Sequence, residues 1–83
     1  MTNPLTEIRH QLTANVYATI DELAQSVSDQ CKGFPTAADA TEIVKVMLST
    51  PEFDYVNHSG STYYHLADDD RTQGRFTLRI RCL

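Results

Sequence analysis

The sequence has no tryptophan, only three glycines and two cysteines, and no long apolar run. A membrane span requires about 20 consecutive apolar residues, and a secretion signal requires a basic region followed by an apolar one. Neither pattern is present, so we expect a cytoplasmic protein. Cys31 and Cys82 lie far apart in the sequence, which favours two reduced thiols over a disulfide. We expect one domain over residues 1–83.

Basic residues are scarce. The chain has 7 Lys and Arg against 11 Asp and Glu, which gives a formal net charge of -4. Phosphate binding depends on Lys and Arg, so this balance argues against a protein that coats nucleic acid. Charged residues make up 22% of the chain and hydrophobic residues 41%, as in ordinary globular domains.

Motifs that carry chemistry are also missing. Structural zinc sites use closely spaced pairs of Cys or His, whereas His10, His58 and His65 are spread along the chain. The acidic run at residues 68–70 lacks the spaced ligands of a calcium loop. No histidine lies near Cys31 in the sequence to act as its general base. The sequence therefore predicts no enzyme, no metal and no cofactor.

Three helices are predicted from apolar residues at helical spacing, over residues 4–13, 20–31 and 37–49. Each has a start signal: Asn3 before Pro4, Thr19 with Glu22, and Thr36 with Asp39. Residues 15–18 break the helical period and are predicted to be briefly extended. The predicted core comprises Ile8, Leu12, Leu23, Val27, Ile43, Val44, Met47 and Leu48. The exposed face of the third helix is predicted to carry Asp39, Glu42, Lys45, Val46 and Ser49.

Two aromatic-rich runs then flank Ser59-Gly60, which predicts a β-hairpin with strands at 53–57 and 62–66. This register puts His65 opposite Asp54 and suggests a cross-strand ion pair. Successive strand residues face opposite sides, so Tyr63 and Tyr64 cannot both be buried. We expect one of them to be exposed, as tyrosines at protein interfaces are.

The final segment alternates strictly between two kinds of residue. Phe76, Leu78, Ile80 and Cys82 fall on one side, and Arg75, Thr77, Arg79 and Arg81 fall on the other. This pattern predicts a strand over residues 75–82 with one buried face. Its arginines, with Arg71, could form a positive strip that binds an acidic partner. Alternatively, they pair with the chain's own carboxylates or protect a sheet edge from aggregation.

The order of helix, short strand, capped helix, linker, capped helix and hairpin resembles the winged helix-turn-helix superfamily. The resemblance covers about the first four-fifths of the chain. It implies an α+β fold of three helices and a β-hairpin wing, to which the alternating C-terminal segment would add a third strand. In this family the third helix commonly enters the DNA major groove and the wing contacts the flanking backbone. By position, the DNA-binding residues would be Lys45, Ser49, His58 and Ser61.

The exposed carboxylates of the third helix repel phosphate, and many winged-helix domains bind proteins instead. We therefore predict a small non-enzymatic protein-interaction or regulatory module that binds a protein partner through the wing and the C-terminal strand, with a homodimer as one form. Similar small acidic domains occur among regulators from phages and mobile elements, which is an association only. The predicted binding residues are Arg71, Arg75, Arg79, Arg81 and Tyr63. The alternatives are a sequence-specific DNA-binding regulator that uses the third helix and wing, and an RNA or single-strand binder that uses the Arg strand.

Overall fold

A computed structural model describes residues 3–72. Its helices are α1 (Pro4–Asn15), α2 (Ile20–Gln30) and α3 (Ala37–Leu48), followed by strands β1 (Phe53–His58) and β2 (Ser61–Leu66) and a short 3-10 helix (Asp70–Thr72). The prediction of an α+β domain with three helices and an antiparallel hairpin is confirmed. The predicted third strand at 75–82 lies outside the described residues.

The predicted caps begin all three helices. Asn3 accepts a hydrogen bond from the Thr6 amide at 2.8 Å, with Pro4 at the first helical position. Thr19 with Glu22, and Thr36 with Asp39, form complete capping boxes. These contacts satisfy amides that have no partner within the helix.

The segment between α1 and α2 differs from the prediction, because α1 continues to Asn15 and ends in a tight turn. Val16 has φ 70° and ψ -57°, and the Tyr17 amide donates to the Asn15 carbonyl at 2.8 Å. This is a γ-turn with positive φ, a rare conformation for a β-branched residue. Only Ala18 then pairs as a strand, exchanging two backbone hydrogen bonds with Tyr64 at 3.1 and 2.7 Å.

The hairpin closes through the predicted turn. Ser59 and Gly60 have φ of 52° and 82°, as the mirror-image two-residue turn of tight hairpins requires. The register pairs Phe53 with Leu66 and His58 with Ser61. Each strand therefore extends one residue further toward the turn than predicted.

The core lies between the three helices and is closed at one end by the hairpin. Ile8, Leu12, Leu23, Val27 and Val44 are fully buried, and Leu48 is 5% exposed. Ile43 and Met47 are partly buried and pack against this cluster, as do the hairpin residues Tyr64 and Leu66. The predicted core is therefore confirmed, with two of its members at the periphery.

Replacing Leu23 or Leu48 with Ala should lower the free energy of unfolding by about 2–5 kcal/mol, because each truncation leaves a cavity. Val46→Ala is the matched control, since this side chain lies on the same helix as Leu48 but is 62% exposed. It should change stability by less than about 0.5 kcal/mol. Chemical denaturation measures all three variants. Unchanged midpoints for both leucine variants would show that the helical faces are wrongly assigned.

Candidate protein-binding site

The candidate site is a surface formed by the outer side of α3 and by β1. Val46 on α3 and Tyr55 on β1 are exposed large hydrophobic residues, at 62% and 56%. A cleft of ≈ 280 Å³ lies between the two elements. Val46 is one helical turn before Ser49, which lines this cleft. We call Val46, Tyr55 and the cleft the α3–wing surface.

The cleft has an apolar floor and a polar rim. Leu48 and Phe53 are buried and Tyr64 is half-buried, whereas the remaining lining residues are exposed: Lys45, Ser49, Thr50, Asp54 and Tyr55. The rings of Tyr55 and Tyr64 lie 5.8 Å apart in a tilted arrangement. Aromatic side chains beside a concave apolar floor are typical of the points at which proteins anchor a partner.

Carboxylates dominate the electrostatics of the outer side of α3. As predicted, Asp39, Glu42, Lys45, Val46 and Ser49 are all exposed. The Lys45 ammonium lies 3.9 Å from a Glu42 carboxylate oxygen, so a carboxylate accompanies the one positive charge among these five residues. The Ser49 hydroxyl donates to the Val46 carbonyl at 2.6 Å. This helix face therefore offers little attraction for phosphate.

The four residues assigned to DNA binding by resemblance fall into two places. Lys45 and Ser49 line the cleft. His58 and Ser61 close the hairpin at its tip, three residues beyond Tyr55 along β1. Strand residues rise by about 3.3 Å each, so the tip lies about 10 Å from the cleft. The His58 ring lies 6.5 Å from the ring of the half-buried Tyr63 in a tilted arrangement.

Among the arginines predicted to bind a partner, Arg71 lies within the described residues, whereas Arg75, Arg79 and Arg81 lie outside them. Arg71 pairs with Asp69 at 2.7 Å and also donates to the Thr13 carbonyl of α1 at 2.8 Å. Its hydrogen bonds hold the pKa of Asp69 below the usual range. For Arg71, the structure therefore favours the alternative of pairing with the chain's own carboxylates.

Two predictions about the hairpin side chains need correction. His65 does lie opposite Asp54, but no ion pair joins them among residues 3–72. His65 is buried, with its Nδ1 3.0 Å from the Leu66 carbonyl and its ring edge-on to Tyr17. The expectation of an exposed Tyr63 or Tyr64 is also wrong, since both are half-buried.

The exposed tyrosine is Tyr55, which the sequence analysis did not select as a binding residue. It shares a sheet face with Phe53 and lies opposite Tyr64, but it belongs to β1, whereas the bridge to Ala18 is made by β2. The two-residue turn fixes this register. The pairing of Tyr55 with Tyr64 was therefore predictable from the sequence. Which of the two is exposed depends on which strand bonds to Ala18, and the sequence does not reveal that order of strands.

Other site chemistries find no support in the part of the chain that the structure describes. Over residues 3–72, no three His, Cys, Asp or Glu residues are grouped so that they could hold a metal ion. Cys31 is a buried free thiol, and burial raises its pKa. Among the described helices, none combines the length and apolarity needed to cross a bilayer.

Comparison of the chain with models of known protein families gave no match, and neither did comparisons with curated proteins or with solved structures. The resemblance to winged helices thus remains one of element order and patterning. The description of the α3–wing surface therefore depends only on the residues of this chain.

Asp69→Asn should destabilise the fold near neutral pH, because Arg71 stabilises the ionised carboxylate. The folded-state pKa of Asp69 is lowered, so this contribution is complete above the unfolded value of about 3.9 and disappears as pH falls through the folded value. The difference in melting temperature between wild type and variant should shrink below about pH 4. Asp70→Asn, at the exposed neighbour, is the control. The same pH dependence in both variants would contradict the assignment.

Proposed function

We propose that this protein is a small non-enzymatic protein-interaction module. It binds its partner through the wing, the adjoining side of α3 and the C-terminal segment. The proposal includes a winged-helix-like architecture in which residues 75–82 form a third strand. Such a module regulates by occupying a partner's surface, and it requires neither metal nor cofactor.

The observation that carries the proposal is the α3–wing surface. Val46 and Tyr55 are more than half exposed, and the cleft beside them has Leu48, Phe53 and Tyr64 in its floor. Covering an exposed aromatic and an apolar cleft removes apolar area from water at about 25 cal/mol per Å². A protein surface supplies that cover, whereas a phosphate backbone does not.

Charge at the same place disfavours DNA. A DNA-reading helix presents its first turns to the bases and must pass between phosphates. Here those turns carry Asp39 and Glu42, and Lys45 lies beside the Glu42 carboxylate. Since the affinity of DNA-binding proteins depends on neutralised phosphates, this helix lacks the main source of binding energy.

Affinity capture with matched baits tests the proposal. Wild-type protein should retain a partner, in the presence of nuclease, that the bait Val46→Ser with Tyr55→Ser loses. If these charges contribute, the bait Arg75→Ser with Arg79→Ser and Arg81→Ser should also lose the partner, and the wild-type complex should weaken as salt rises. Gln25→Ser with Asp29→Ser changes exposed residues of α2 and is the control. A partner retained equally by all baits would exclude both the α3–wing surface and the arginines.

Generic duplex DNA should bind weakly or not at all at physiological salt, because α3 exposes two carboxylates for its one lysine. Titration of labelled duplexes across salt concentrations measures this. Submicromolar affinity with a steep salt dependence, lost in Lys45→Ala, would favour the DNA-binding alternative. His58→Ala would then show whether the wing tip contributes.

A further inference from the structure

The outer edge of β1 is open to another strand. In an antiparallel pair, successive residues direct their backbone groups alternately toward and away from the neighbouring strand. His58 and Ser61 flank a two-residue turn and therefore bond to each other, so Tyr55 and Asn57 direct their amides and carbonyls outward. The mutual bonds of Tyr64 with Ala18 on the opposite edge follow the same alternation. Among residues 3–72, no strand pairs with this edge of β1.

The edge offers mainly hydrogen-bond acceptors. The Tyr55 amide donates to the Asp54 carboxylate at 2.8 Å, which leaves the Tyr55 carbonyl and both backbone groups of Asn57 for an incoming strand. Tyr55 lines the cleft, and Asp54 lies at its rim with its carboxylate at the strand edge, where it accepts from the Tyr55 amide. A strand that pairs here would therefore meet both apolar side chains and a carboxylate.

The C-terminal segment of this chain has the complementary pattern. Residues 3–72 contain all 11 acidic residues but only four of the seven basic ones, whereas residues 73–83 contain three arginines and no acid. Phe76, Leu78 and Ile80 alternate with Arg75, Arg79 and Arg81. The apolar side chains of such a strand suit Val46 and Tyr55, and its arginines suit the Asp54 carboxylate.

We propose that residues 75–82 of a second copy pair with the β1 edge, so that two copies exchange their C-terminal segments around a two-fold axis. This inference rests on the proposed function, since it identifies the protein partner as a second copy. The apolar residues of the segment cover Val46, Tyr55 and the cleft. Its arginines lie beside Asp54.

The path of the chain favours a second copy over the same chain. After β2, the Ala67 amide bonds to the Glu52 carbonyl and Arg71 bonds to Thr13 of α1. The Arg71 side chain therefore lies beside the C-terminal end of α1, and Ala67 lies beside the residue that precedes β1. From there, a strand of the same chain would have to run parallel to β1. Parallel pairs are slightly less stable per residue than antiparallel pairs. A second copy has no such restriction and can pair antiparallel.

Complementation between two variants tests this arrangement. The tail variant is Leu78→Ser with Ile80→Ser, and the surface variant is Val46→Ser with Tyr55→Ser. Each alone loses both contacts of the exchanged dimer, whereas a mixture restores one contact, between the intact surface of one variant and the intact tail of the other. Sedimentation equilibrium across a concentration series should show dimers of wild type. The mixture should associate at least about tenfold more tightly than either variant alone, a factor that corresponds to ~1.4 kcal/mol.

Protection of the Tyr64 amide from hydrogen exchange reports that each variant is folded, because this amide bonds to Ala18. If the surface variant loses this protection, Asp54→Asn replaces it as the variant that alters the surface. The association of wild type should also weaken as salt rises. A monomeric wild type, dimers that both variants retain, or a mixture no tighter than its components would overturn the exchange. Partner capture that still depends on Val46 and Tyr55 would then leave the proposed function standing without it.

Discussion

The wing packs against the core through Phe53, Tyr64 and Leu66, and one pair of backbone hydrogen bonds, between Ala18 and Tyr64, aligns β2 with the segment that follows α1. These two bonds form because the γ-turn at Val16 redirects the chain as it leaves α1, so that Ala18 lies alongside β2. The turn holds a buried β-branched residue at positive φ, which costs on the order of 1–3 kcal/mol. The surrounding core offsets this cost, since α1 and α2 both pack against β2.

This attachment decides which parts of the hairpin are covered. Because Ala18 occupies the outer edge of β2, the open edge of the sheet within residues 3–72 is that of β1, on the side nearest the end of α3. Tyr64 then becomes half-buried at the floor of the cleft, while Tyr55, directly opposite it, is exposed. The exposed aromatic, the cleft and the open edge therefore follow from one arrangement.

The local rules of the sequence predicted the helices, caps and turn well, because each is set by residues only a few positions apart. Thr19 with Glu22 and Ser59-Gly60 are such cases. The core also followed from helical spacing. The predictions that failed concern contacts between distant residues. Within residues 3–72, the predicted Asp54–His65 ion pair does not form, and His65 packs against Tyr17 instead. Likewise, the candidate site needed the order Ala18, β2, β1, which no local pattern encodes, so Tyr55 was missed.

The start of α3 shows how helix stability can conflict with a role in DNA recognition. In the capping box of α3, the Asp39 carboxylate accepts hydrogen bonds from the Thr36 amide at 3.1 Å and from the Thr36 hydroxyl at 2.8 Å. A carboxylate in the first turn also interacts favourably with the helix dipole. Yet the same turn is the part of a recognition helix that meets the bases, and an anion there repels the phosphates on either side. This chain stabilises α3 at the end that DNA would approach, while the apolar cleft lies at the other end, beside Leu48 and Phe53. The exposed apolar side chains Val46 and Tyr55 therefore lie away from the acidic first turn, toward the C-terminal end of α3 and on β1.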